Sequence, residues 1–155
     1  MNATAPIRSP DLSGRPYDLA LEHRFAAAPA VLYEAWTRGI DRWFAAPGSV
    51  LMRPEVDAVF FFETEFKREP ECAPERHPHY GRFLRLIENQ LIELTWVTGA
   101  KGTEGAETVV TVELHPAGGG TRLHLKHAGF PDAASRDRHR QAWPTVLSQL
   151  ELRLT

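Results

Sequence analysis

The sequence predicts an α+β protein in which a curved, six-stranded antiparallel sheet wraps one long C-terminal helix. Two observations predict it. From Asp132 to Leu154 the residues Trp143, Val146, Leu147, Leu150 and Leu154 recur at spacings of three and four, the one-sided stripe of an amphipathic helix. Upstream, short segments alternate apolar with polar residues between turn signals, the pattern of antiparallel strands. The helix is the only long element able to cover the apolar face of the sheet. A sheet that grips a helix in this way is expected to enclose a cavity.

Residues 1–16 carry Pro and Ser without periodicity and read as an N-terminal tail, with a single domain over 17–155. In 17–25, Leu19, Leu21 and Phe25 oppose Asp18, Glu22 and Arg24, as in a half-buried strand. Pro29 suits the first turn of a short helix whose face is Val31, Leu32, Ala35 and Trp36 and whose stop is Gly39. Ile40, Trp43 and Phe44 predict a second short helix or turn, and the two short helices would cradle the long one. In 58–66, Phe60, Phe62, Thr64 and Phe66 share a face. Pro70, Pro74 and Pro78 then mark a surface loop holding Cys72, His77 and His79.

A hairpin is predicted over 80–87 and 91–97 through Glu88-Asn89-Gln90. Its second strand points Ile92, Leu94 and Trp96 one way. In its first strand, either Phe83 with Arg85 or Leu84 with Leu86 faces the core. Gly99, Gly102 and Gly105 predict a mobile loop before a strand over 107–115. The turn 116–120 leads into a strand over 121–128, where Leu123, Leu125 and His127 oppose Arg122, His124 and Lys126. Gly129-Phe130-Pro131 is expected to end that strand, Asp132 to cap the helix, and Pro144 to kink it just after Trp143.

With 155 residues, 25% charged and a net charge of −2, the chain shows neither the signature of disorder nor a nucleic-acid footprint. The lone Cys72 rules out an internal disulfide and fits a reducing compartment. The first fourteen residues lack the apolar core of a secretory signal, and no apolar run approaches membrane-spanning length. A cytoplasmic protein without nucleic-acid partner or membrane insertion is expected; a homodimer is compatible with the sequence.

Cys72, His77 and His79 supply zinc-ligand types, but their spacing matches no standard ligand pattern. No metal and no cofactor are expected. Strand alternation turns His127 towards the cavity, where it is either a core histidine bonded to the backbone or a polar handle for a ligand. A general base is a third role for it, and no inward carboxylate is evident to orient the ring. No Gly-x-Ser-x-Gly elbow is present, and Gly118 to Gly120 are followed by no Lys-Ser/Thr and no helix start, so neither a hydrolase elbow nor a phosphate loop is indicated.

Several segments carry a resemblance: Gly81-Arg-Phe, Leu94-Thr-Trp96, the strand from Thr108, Gly-Thr121-Arg-Leu-His-Leu, His127-Ala-Gly-Phe130 and Ala142-Trp143-Pro-Thr-Val-Leu. In their order they resemble the SRPBCC superfamily, the START-like and birch-pollen-allergen-like helix-grip fold. The chain looks most like the branch of small bacterial homologues of the activator of the 90-kDa heat-shock-protein ATPase. Two departures stand out. Val56-Asp57-Ala58-Val59-Phe60 replaces an Arg-x-Gly-Gly-type turn, from which a narrower pocket mouth is expected, and Ala142-Trp143 replaces Gly-Trp.

The resemblance implies binding of a small apolar or amphipathic molecule between sheet and long helix. The expected lining is Trp36, Trp43, Phe60, Phe62, Phe83, Trp96, His127, Phe130 and Trp143. An enzyme acting on a hydrophobic substrate, cyclase- or hydrolase-like, is the second reading, with His127 and either Arg85 or Tyr80 as polar participants. A co-chaperone-like partner-binding protein is the third. Binding is favoured over catalysis.

Overall fold

A computed structural model describes residues 9–67 and 69–154. Six strands form one antiparallel sheet in the order β1-β6-β5-β4-β3-β2. They are β1 (Tyr17–Phe25), β2 (Val59–Phe66), β3 (Glu75–Ile87), β4 (Leu91–Trp96), β5 (Thr108–Ala117) and β6 (Gly120–Phe130). Helix α1 (Pro29–Trp36) and a single 3-10 turn (Ile40–Arg42) follow β1, and α2 (Ala133–Leu154) closes the chain. Tail residues 1–8 lie outside the described residues. The remainder of the tail docks on the sheet: Arg15 donates from Nε to the Gly129 carbonyl and from Nη2 to the Glu107 carbonyl, both at 2.7 Å.

Helix α2 starts where its cap predicts, with the Ser135 N–H donating to Asp132 Oδ1 at 2.8 Å. Its buried side is Ser135, Trp143, Leu147 and Leu150, with Val146 and Leu154 half-buried. The apolar stripe is therefore continued towards the N-terminus by polar residues, Ser135 and His139. The helix runs unbroken across Pro144, which sits on the exposed side, where water can take the carbonyl that the missing N–H leaves free. At the other end His23 Nε2 of β1 meets Glu151 Oε2 at 2.6 Å and ties helix to sheet. Between them, Trp36 of α1 lies 6.0 Å from Trp143 and 5.3 Å from Trp43. The Trp43 indole N–H donates to the Ala35 carbonyl at 2.7 Å, so α1 and the 3-10 turn hold each other as a cradle.

Three expectations change. Strand β3 begins at Glu75, so His77, Pro78 and His79 belong to the sheet and not to a surface loop. Pro78 is tolerated because it pairs with Glu63 of β2 while the β4 ladder starts only at Phe83, so β3 has a strand on one side only at that point. Neither proposed facing of β3 holds along its length. A bulge at Leu84 separates the pairs Phe83↔Leu94 and Arg85↔Glu93, which turns Phe83 inwards, Arg85 outwards and Leu86 back towards the core. A second bulge lies in β6, which does not stop at Ala128. Gly129 is its extra residue, at φ 89°, opposite the step from Tyr17 to Asp18, and it re-aims Phe130 into the core.

Gly81 marks the tightest approach in the sheet. A Cβ there would run into the Thr95 carbonyl oxygen and the ring of Phe60. Gly81→Ala is therefore expected to destabilise the protein by about 1–3 kcal/mol, the usual cost of overpacking. A urea midpoint equal to wild type would show that Phe60 does not lie over β3 at this residue.

Candidate functional site

A cavity of about 580 Å3 opens between the sheet and α2. Its sheet wall is Phe66, Pro78, His79 and Trp96, and its helix wall is His139, Ala142, Trp143 and Val146. Phe44, just after the 3-10 turn, lies face to face with Trp96 at 5.9 Å and 23°. The third side is the loop 98–102. This glycine-bearing loop is bonded within itself and to the helix. Thr98 and Thr103 exchange N–H to Oγ1 bonds at 2.8 Å each, and the Ser135 hydroxyl and Arg138 Nη2 both donate to the Gly102 carbonyl at 2.6 and 3.0 Å. Gly102 has no room for a Cβ beside Thr98 Oγ1, which is why the loop needs glycine there.

Of the nine residues expected to line the site, Trp96 and Trp143 do so. Phe62 lies one layer behind, stacked on His79 at 4.8 Å and 10°. Trp36 braces Trp143 from the α1 side and Trp43 packs behind Trp36, while Phe60 and Phe83 pack on each other at 5.5 Å deeper in the sheet. Phe130 packs on His127 at 4.3 Å. None of residues 56–60 lines the cavity, so the bulk at Val56 to Phe60 does not narrow its mouth. Arg85 reaches outwards to Glu93 at 2.9 and 3.0 Å, and Tyr80 lies on the outer face against Phe61; neither contributes to the cavity.

His127 is fully buried, and both of its nitrogens are engaged. The Trp143 indole N–H donates to Nδ1 at 3.1 Å. The neutral ring then carries its proton on Nε2, which donates to Thr108 Oγ1 at 2.7 Å, and the Thr108 hydroxyl donates onward to the Trp96 carbonyl at 2.5 Å. The expectation of a polar handle thus meets a ring with no free lone pair or proton. Burial, reinforced by the charge of His139, holds its pKa well below the ordinary histidine value. A proton on Nδ1 would also displace the Trp143 donor.

Three histidines line the cavity, His77, His79 and His139, and the backbone orients the last two. His79 Nδ1 donates to the His77 carbonyl at 3.1 Å, and His139 Nδ1 donates to the Ser135 carbonyl at 2.8 Å. In each neutral ring the lone pair is left on Nε2. Neither Nε2 has a hydrogen-bond partner among the described residues, and neither is sealed inside packed side chains as Trp36 Nε1 is. Desolvation is the first cause that lowers both: His79 falls to about 4, and His139 lies below its usual value. Sequence reasoning missed His139, and it placed His79 in a loop. For His139 a signal existed, since it sits four residues before Trp143 and extends the helix stripe.

Cys72 is exposed, and His77 Nε2 is 3.7 Å from Glu75. Among the described residues no cluster of three or more His, Cys, Asp or Glu is arranged to hold a metal ion. Among them, too, no helix is long and apolar enough to cross a membrane.

A curved antiparallel sheet closed on a long C-terminal helix over a cavity defines the helix-grip fold of the SRPBCC superfamily. Within it, the family described as Activator of Hsp90 ATPase homolog 1-like protein matches residues 26–155, and the chain belongs to that family. The structure is similar to a protein from Chromobacterium violaceum (TM-score 0.71, 23% identity, 87% of this chain and 94% of that one). A protein from Silicibacter pomeroyi described as AHSA1 is similar at TM-score 0.71 and 23% identity, over 89% of this chain and 97% of that one. One from Rhodobacter sphaeroides matches at TM-score 0.69 and 21% identity, over 92% and 91%. These likenesses establish the fold. No curated protein matches the chain significantly.

Two outcomes follow from the histidines. His127→Phe leaves the Trp143 N–H without its buried acceptor and is expected to cost about 1–3 kcal/mol in urea unfolding. An unchanged midpoint would mean that the indole finds another acceptor. The second concerns pH. Unfolded, these histidines take up protons near the ordinary value of about 6.5. Folded, His79 does so only at about 4. Between these values the unfolded chain binds more protons, so stability is full above 6.5 and falls as the pH drops. By pH 5 His79 alone accounts for about 2 kcal/mol. His79→Phe should make the urea midpoint less sensitive between pH 7.5 and 5; equal sensitivity would place His79 in contact with bulk water.

Proposed function

We propose that this protein binds a small hydrophobic or amphipathic molecule in the cavity between the sheet and α2. The observation that carries the proposal is the cavity itself. Its volume of about 580 Å3 suits a small ligand, and its walls are aromatic and aliphatic side chains with a few polar atoms between them. Trp96, Trp143, Phe44 and Val146 would make the apolar contacts. Burying a ligand against them gains about 25 cal/mol per Å2 of apolar area, less the cost of immobilising it. Trp36, Trp43, Phe60, Phe62, Phe83, His127 and Phe130 would support the walls from behind.

Binding is favoured over catalysis by the partners of the two cavity histidines that the backbone orients. His79 and His139 are oriented by backbone carbonyls, and a carbonyl stabilises an imidazolium less than a carboxylate does. Burial lowers both pKa values, which weakens each ring as a proton acceptor.

The test is a fluorescent anilinonaphthalene dye added to the native protein. Binding with quenching of tryptophan emission is expected, while the near-UV circular dichroism of the packed aromatics persists, because a molten state also takes up such dyes. Ala142→Phe adds a ring on the helix wall at an exposed position and should weaken the dye at least tenfold, with the fold unchanged. Undiminished affinity in that variant would place the dye elsewhere and sink the proposal.

A further inference from the structure

We infer that the cavity selects an aromatic ligand bearing a hydroxyl group, with His79 Nε2 and His139 Nε2 as the acceptors that set this preference. The inference rests on the cavity being the binding site and names the class of molecule it takes. His79 comes from β3 on the sheet wall and His139 from α2 on the helix wall, and both rings line the same space. Each is locked in one sense. Its Nδ1–H is held by a backbone carbonyl, so turning the ring over would forfeit a bond and point a carbon at that oxygen. Both rings thus line the cavity in a fixed orientation, and the lone pair of each has no protein partner among the described residues.

The other polar groups along the walls do not compete for this role. The hydroxyls of Thr64 and Thr98 can turn to donate or to accept. Glu65 and Lys101 are solvent-exposed, and His77 is half-buried beside Glu75. The rings of Phe44, Trp96 and Trp143 line the same cavity, and they suit a flat aromatic body. Desolvation keeps both histidines neutral at neutral pH, so they accept hydrogen bonds there.

Hydration makes the sign of the preference decisive. A phenolic O–H gives up a hydrogen bond to water on entering an apolar cavity, whereas the methyl ether of the same molecule has no such donor to strip. A cavity without a placed acceptor therefore prefers the ether, and one that offers a placed lone pair prefers the phenol.

Titration calorimetry of the full chain with 2-naphthol and 2-methoxynaphthalene at neutral pH distinguishes these cases. The naphthol is expected to bind roughly tenfold or more tightly than the ether. The double substitution His79→Phe and His139→Phe should reverse that order, with near-UV circular dichroism confirming the fold. Wild-type protein that binds the ether as tightly as the naphthol, or more tightly, overturns the inference and leaves the cavity as a binding site. A preference for naphthol that survives in the folded double variant removes the histidines from it. Binding of neither compound removes the binding reading and the inference together.

Discussion

The contact on which this structure depends is the hydrogen-bonded chain from Trp143 through His127 and Thr108 to the Trp96 carbonyl. It links the long helix to β6, β5 and β4 in turn. Apolar packing alone fixes a helix on a sheet only loosely in rotation and translation, since many registers bury similar area. A directional chain of donors and acceptors, each buried and each satisfied, allows one register. The low dielectric around it raises the penalty for any other.

The cavity follows from that constraint. With its indole N–H committed to His127, Trp143 presents the rest of its ring to the space beside Trp96. The loop 98–102 is then drawn over the open side by Ser135 and Arg138, from the first turns of the same helix. One helix thus supplies the anchor, one wall and the tether of another. The opposite wall is less tightly constrained. Phe62, His79, Trp96 and Phe44 hold one another by ring contacts of 4.8 to 5.9 Å, which have preferred geometries but shallow energies.

The three inward histidines divide the work according to what holds them. His127 spends both nitrogens on the protein and becomes structural. His79 and His139 spend one each on a backbone carbonyl and line the cavity. The same side chain is therefore tied at both nitrogens or at one, depending on whether a second partner lies within reach.

The sequence by itself determined the element order, the ends of β1 and α2, the start of α1, the inward faces of β4 and β5, and the inward turn of His127. These are local properties: a period of two or of 3.6, a capping Asp132, a Pro29 at a helix start. Its motifs also pointed to the family. Tertiary structure decided what local periodicity does not encode. The bulges at Leu84 and Gly129 shift alternation by one residue, and a bulge is a property of two paired strands, invisible in either alone. Pro78 and His79 look like loop residues until β2 is seen beside them. The division between core and cavity wall among the aromatics depends on distances between elements far apart in the chain. Whether a buried imidazole has one partner or two depends on the same distances, and no spacing within one segment sets them.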